Sequence, residues 1–203
     1  MADLPIDLDP QTSLRLAAAL DIEGKLPRAL EALGPLAGRD VVLVGGGAAE
    51  RRRLEEAGSR LTSVDPLETS AGGRWQLPDG SADAVVAAWS AFRGVTAAEV
   101  AEADRVLRPG GRLLVVHDYG RDDVSRLRGD RPEYGLWSRR DGPFLTAGFR
   151  IRVLHCFWTF ASLDEAASFL GAAFGGAGRA LASGLKRPRL TWNVAVYHRT
   201  RSG

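Results

Sequence analysis

The chain has 203 residues, a formal net charge of +2, one cysteine and three histidines. That length supports one well-buried domain and is short for two, and the near-balanced charge excludes a broad basic surface built for nucleic acid. Cys156 alone can close no internal disulfide, His117, His155 and His198 are too scattered for a metal-ligand spacing, and no apolar run reaches the length of a membrane span.

Residues 1–10 are rich in Asp and Pro and read as an irregular arm; with no basic leader, a cytoplasmic protein with no membrane partner is expected. Leu14, Leu16, Ala17, Ala18 and Leu20 suit a helix from Thr12 to about Ile22, with Thr12 or Ser13 as N-cap and Gly24 ending it. A second amphipathic helix is predicted from about Pro27 through Leu30 and Leu33 to Gly34. Val41, Val42, Leu43 and Val44 form a continuous apolar run that suits a parallel strand buried on both faces.

Gly45, Gly46 and Gly47 follow, where a missing Cβ allows a tight turn and a close approach by a ligand. A helix is predicted from Ala48 to about Ala57, stopped at Gly58. A second strand, Leu61 to Val64, ends in Asp65, about 20 residues past the glycines, the spacing at which a nucleotide-binding βαβ unit places its ribose-binding carboxylate. The loop reads G-G-G-A-A-E and not G-x-G-x-x-G. The expected ligand is therefore a nucleoside without a pyrophosphate, held between the glycines and Asp65.

The connection from Leu67 to Gly73 is too short for a full crossover helix, so the third strand is expected as a stub around Arg74 to Leu77. Pro78, Asp79 and Gly80 make a turn into a buried strand, Ala84 to Trp89. Thr96 and Glu99 form a capping box that starts a helix to Leu107, and Pro109-Gly110-Gly111 turns into a strand from Arg112 to Val116. Residues 118–148 are polar and Arg-rich, with one helix expected near Asp122 to Leu127 or Tyr134 to Ala147. Their arginines, Arg126, Arg128, Arg131, Arg139 and Arg140, alternate with acids and read as a solvated, salt-bridged loop. A strand follows from Phe149 to Thr159. Ser162 and Glu165 start a helix to about Phe174, interrupted at Gly171 and closed by Gly175 and Gly176. Leu190 to Arg199 alternates and reads as a last strand, antiparallel, at the sheet end.

In this order, three stretches resemble class I S-adenosylmethionine-dependent methyltransferases: VVLVGGGAAE as the glycine-rich motif, Val64-Asp65-Pro66 as the acidic end of strand two, and LPDGSADAVVAAWS with EADRVLRPGGRLLVV around strands four and five. The resemblance implies an α/β fold of one domain, Rossmann-like and doubly wound, with a mostly parallel seven-stranded sheet, an antiparallel last strand and helices on both faces. Residues 1–38 would be an N-terminal arm and helices, 39–119 the cofactor-binding half and 120–203 the substrate-side half. It also implies S-adenosylmethionine as cofactor: Gly45, Gly46 and Gly47 under its methionine and ribose, Asp65 and Pro66 at the ribose, Trp75, Gln76 and Leu77 along the adenine, Trp89 and Ser90 near the sulfonium. Leu43 stands where the family has an acid and Ala49 where it has a third glycine. No Asn/Asp-Pro-Pro-Tyr motif is present.

Methyl transfer from a sulfonium is an in-line displacement that alignment alone accelerates. If a base is needed, His117, in the trio His117-Asp118-Tyr119 after strand five on the cleft side, is the candidate, its ordinary pKa lying near the working pH. Two readings stand: a methyltransferase acting on a small-molecule acceptor, or a degenerate domain of the same fold serving as a binding or assembly subunit. No nucleic-acid partner is expected.

Overall fold

A computed structural model describes residues 8–65, 73–89, 91–129 and 131–202. Helix α1 spans Pro10–Ala19, where Asp9 accepts hydrogen bonds from the amides of Gln11 (2.9 Å) and Thr12 (3.0 Å), so the cap lies three residues before the expected Thr12. Helix α2 spans Lys25–Leu33. Its first amides are taken by Asp21, whose carboxylate accepts from Lys25 at 3.0 Å and Leu26 at 2.7 Å. This buried acid caps the helix from a distance, across Gly24 in the left-handed region.

Six strands form one sheet among the described residues: β1 (Asp40–Gly45), β2 (Arg60–Val64), β3 (Ala82–Ala88), β4 (Leu107–Asp118), β5 (Arg150–Thr159) and β6 (Arg189–Thr200). Their order is β2-β1-β3-β4-β6-β5. The first four run parallel, and β6 is antiparallel to both β4 and β5. Helix α3 (Ala48–Glu56) links β1 to β2, and α4 (Ala97–Val106) links β3 to β4 with the expected Thr96–Glu99 box formed. Three short helices, α5 (Asp123–Leu127), α6 (Pro132–Trp137) and α7 (Pro143–Thr146), fill the stretch after β4 where one was expected. Helix α8 covers Leu163–Ser183 and breaks at Gly175 (φ 57°, ψ −128°), while Gly171 stays helical. Among the described residues no helix is long and apolar enough to cross a membrane.

The central strands alternate between two apolar clusters, one on each sheet face. Leu43, Val86, Ala88 and Val116 face α1, α2, α3 and α8; Val42, Val44, Val85, Ala87 and Val115 face α4, α6 and α7. Burial on both faces explains why these strands read as continuous apolar runs.

Two sequence expectations about the sheet are corrected. Among the described residues it has six strands and not seven: residues 74–75 have no regular structure and 76–77 form a bend where a strand is expected. That segment is fixed by α4: Arg105 donates to the carbonyls of Trp75 (3.2 Å) and Leu77 (2.8 Å), and Glu102 accepts from the Trp75 amide (2.7 Å). Those three backbone groups are thus satisfied by side chains and need no ladder. The last strand also lies inside the sheet, between β4 and β5, with β5 at the end.

Candidate functional site

The register sets a row of residues at the carboxyl edge of the parallel strands. Val44 pairs with Val64, Gly45 with Ala88, and Ala88 with Val116. Asp65 therefore follows β2 beside Gly45, Trp89 follows β3 beside Gly46, and His117 and Asp118 close β4 next to them. An open α/β sheet binds ligands at this edge.

Gly45 (φ 68°) and Gly46 (φ 72°) both occupy the left-handed region, which turns the chain sharply from β1 into α3. The Gly46 amide donates to the Ala88 carbonyl at 3.2 Å, and the Gly47 amide donates to Glu50 Oε2 at 2.8 Å, so the loop's donors are held within the chain. Asp65 is exposed at the edge, whereas Leu43, two positions before the glycines, is 1% exposed and lies in the apolar cluster. Pro66 and Ser90 lie outside the described residues.

Trp89 has φ 52°, and Phe92 (60°) and Val95 (50°) follow it in the same region. A bulky side chain is strained there, and such strain persists only where the surroundings over-determine it. Here they do. The Trp89 amide donates to Val116 (2.9 Å), its indole N–H points at Asp118 Oδ1 (3.4 Å), and the Phe92 amide donates to buried Glu99 (3.0 Å).

Asp118 is the hub of this end of the sheet. Its Oδ1 also accepts from the Trp192 indole at 2.9 Å, and its Oδ2 is ion-paired with Arg128 from the turn after α5. Both partners of that pair are almost fully buried. The Trp89 and Trp192 rings stack at 5.9 Å and 18° above the carboxylate. Nearby, Asp122 caps α5 and accepts from the Asn193 amide at 2.8 Å, and burial pushes its pKa up. The sequence reads Arg128 as part of a solvated loop; Trp192, which shares its partner Asp118, lies some 60 positions further on, and no local signal reveals it.

Two expected placements are corrected. His117 has no exposed surface; its ring lies 4.7 Å from that of Trp137 and 6.0 Å from that of Phe144, on the face opposite Asp118. Burial, and then the charge of Arg93, push its pKa down to about 3. A buried imidazole so weakly basic, turned under α6 and α7, is not placed to take an acceptor's proton. Trp75 is not open to a ligand, and Leu77 is not at the carboxyl edge. Trp75 is 1% exposed in the core, and Leu77 borders a small cavity shared with Asp40, Val41 and Arg60 at the amino edge, where β3 must begin. Exposed Gln76 lies between them.

No protein-family model and no curated protein sequence matches the chain. Solved structures do resemble it. A protein described as a type II methyltransferase from Anaeromyxobacter dehalogenans aligns at 21% identity and a TM-score of 0.53, covering 87% of this chain and 95% of that one. A Bacillus halodurans C-125 protein described as a methyltransferase gives 13% identity and a TM-score of 0.52 over 87% of this chain and 98% of that one. A SAM-dependent methyltransferase from Aquifex aeolicus gives 18% identity and a TM-score of 0.50 over 95% and 98%. At these identities the likeness establishes the fold, which is that of the class I methyltransferases.

Proposed function

We propose that the chain binds S-adenosylmethionine at the carboxyl edge of its sheet and transfers the methyl group to a small-molecule acceptor. The observation that carries this reading is the register row itself: two glycines in the left-handed region beside an exposed Asp65, one position past the paired Val44 and Val64. The ribose end of the cofactor fits. Asp65 would accept hydrogen bonds from the ribose hydroxyls, and the Cβ-free loop would let the nucleoside lie against the backbone. At the methionine end Leu43 offers no charge, and the carboxylate of Glu50 is bound to the Gly47 amide. When bound, the cofactor supplies an electrophilic methyl group. The chain contributes alignment and exclusion of water, with the stacked Trp89 and Trp192 as an apolar wall.

A second reading has its own support. The internally bonded amides of Gly46 and Gly47 and the apolar Leu43 are features of a degenerate site, in a domain that serves as a binding or assembly subunit.

Calorimetric titration separates the two. The first reading expects saturable binding of S-adenosylmethionine, weakened by about 1–3 kcal/mol in Asp65→Ala, the scale of lost charge-assisted hydrogen bonds. Absence of binding at millimolar ligand would leave the second reading, and equal binding by the variant would remove Asp65 from the site.

A further inference from the structure

Below the glycine loop, α2 and α3 do not close over the sheet. Between them lies an apolar groove with a volume of about 580 Å³. Its floor is Leu43, Val86 and Val116 from three adjacent strands, and its walls carry Leu30 of α2 and Leu54 of α3. It runs from Leu36, just before β1, up to Trp89, the length of the strand. A volume in the range of small-ligand sites, lined almost wholly by aliphatic side chains, suits an apolar ligand.

Charge selects which one. Arg28 and Arg53 border the groove on its two sides. Each is bonded only to a main-chain carbonyl of the α1–α2 turn, Arg28 to Glu23 at 2.6 Å and Arg53 to Leu20 at 3.5 Å, and neither has an ion-pair partner among the described residues. Two carboxylates also border it, and both are drawn to backbone amides at opposite ends. Glu31 accepts from Leu36 (2.8 Å) and Ala37 (3.3 Å), and Glu50 accepts from Gly47 (2.8 Å). Among the described residues, the two guanidiniums are the charges left for a ligand between those ends.

We propose that this groove binds a single-chain amphiphile with an anionic head, a medium- or long-chain carboxylate, with its tail along Leu43, Val86 and Val116 and its carboxylate between Arg28 and Arg53. Arginine suits that head because its fork of donors matches a carboxylate and it remains charged at all working pH values. The inference does not depend on methyl transfer or on the cofactor.

The test uses the full chain without S-adenosylmethionine. Decanoate, kept below its micelle concentration, is titrated by calorimetry and by tryptophan fluorescence, since Trp89 stands at the groove's upper end. Saturable binding is expected, with decyltrimethylammonium, the same tail on a cationic head, weaker by about tenfold or more. Arg28→Ala with Arg53→Ala should erase that preference, and Val86→Phe, which fills the floor, should abolish binding. Far-UV circular dichroism and the unfolding temperature show whether Val86→Phe is folded; if it is not, the double arginine variant decides alone. Absence of saturable decanoate binding, equal binding of the two head groups by the wild type, an unchanged preference in the arginine variant, or undiminished binding by folded Val86→Phe would each overturn the proposal. A chain that fails to bind S-adenosylmethionine but binds decanoate would sink only the methyltransferase reading.

Discussion

Asp118 receives two indole N–H groups and one guanidinium while nearly excluded from water. Removing one partner of a buried ion pair leaves the other charge desolvated and uncompensated, so Asp118→Ala is expected to lose about 3–5 kcal/mol in urea unfolding. It should also release the Trp89–Trp192 stack, visible as a change in tryptophan emission. His117 makes the opposite kind of statement, because it is buried neutral. Its folded pKa, about 3, lies below the ordinary value of 6.5, so between those pH values the unfolded chain binds a proton that the native chain refuses. The stability this neutral residue contributes is complete above pH 6.5 and drains away as pH falls toward 3. Relative to His117→Leu, the wild type should lose up to about 1.4 kcal/mol per pH unit over that window; a constant difference from pH 7 to pH 4 would show that His117 titrates in the fold. Both residues were singled out in the sequence as one trio after a strand. Strand alternation places them on opposite faces, and deciding which face is the cleft required the helices that follow.

At the level of elements, the parts read correctly from sequence are those whose signals are local. The Thr96–Glu99 box, the glycines after β1, and Asp65 at the end of β2 are each fixed by neighbours a few residues away. The misplaced segment, Trp75 to Leu77, is set by Arg105 and Glu102, which lie 27 to 30 positions on, and such ties leave no periodic trace. Helix α8 is an intermediate case. Gly175 was read as a stop, and it is a reversal: the segment after it packs back on the segment before it, so that a Cβ on Gly178 would overlap the carbonyl of Leu170 and one on Gly171 would press on the Arg179 side chain. Gly178→Ala should therefore destabilise the chain by about 1–3 kcal/mol through overpacking. Gly176→Ala, facing open space, should stay within about 0.5 kcal/mol of wild type. Comparing urea midpoints of the two variants tests the reversal directly.

For the molecule as a whole, the two sheet faces do different jobs. One is sealed by α4, α6 and α7 over aromatic rings, with Phe144 and Tyr197 stacked at 3.7 Å; the other leaves room between α2 and α3. Both depend on the strand order, and the strand order bears on how the chain is made. Strand β6 is synthesised after every other strand of the sheet, yet it sits between β4 and β5 and is the only strand that pairs with β5 among the described residues. Emerging from the ribosome without it, the nascent chain carries an unpaired apolar edge on β4 and a strand with no sheet to join, the form in which chains aggregate or recruit chaperones. Ribosome-stalled chains ending before Arg189 should be cut by protease within 150–159, and chains carrying β6 clear of the exit tunnel should resist. Completion of this fold is thus tied to the release of its last strand.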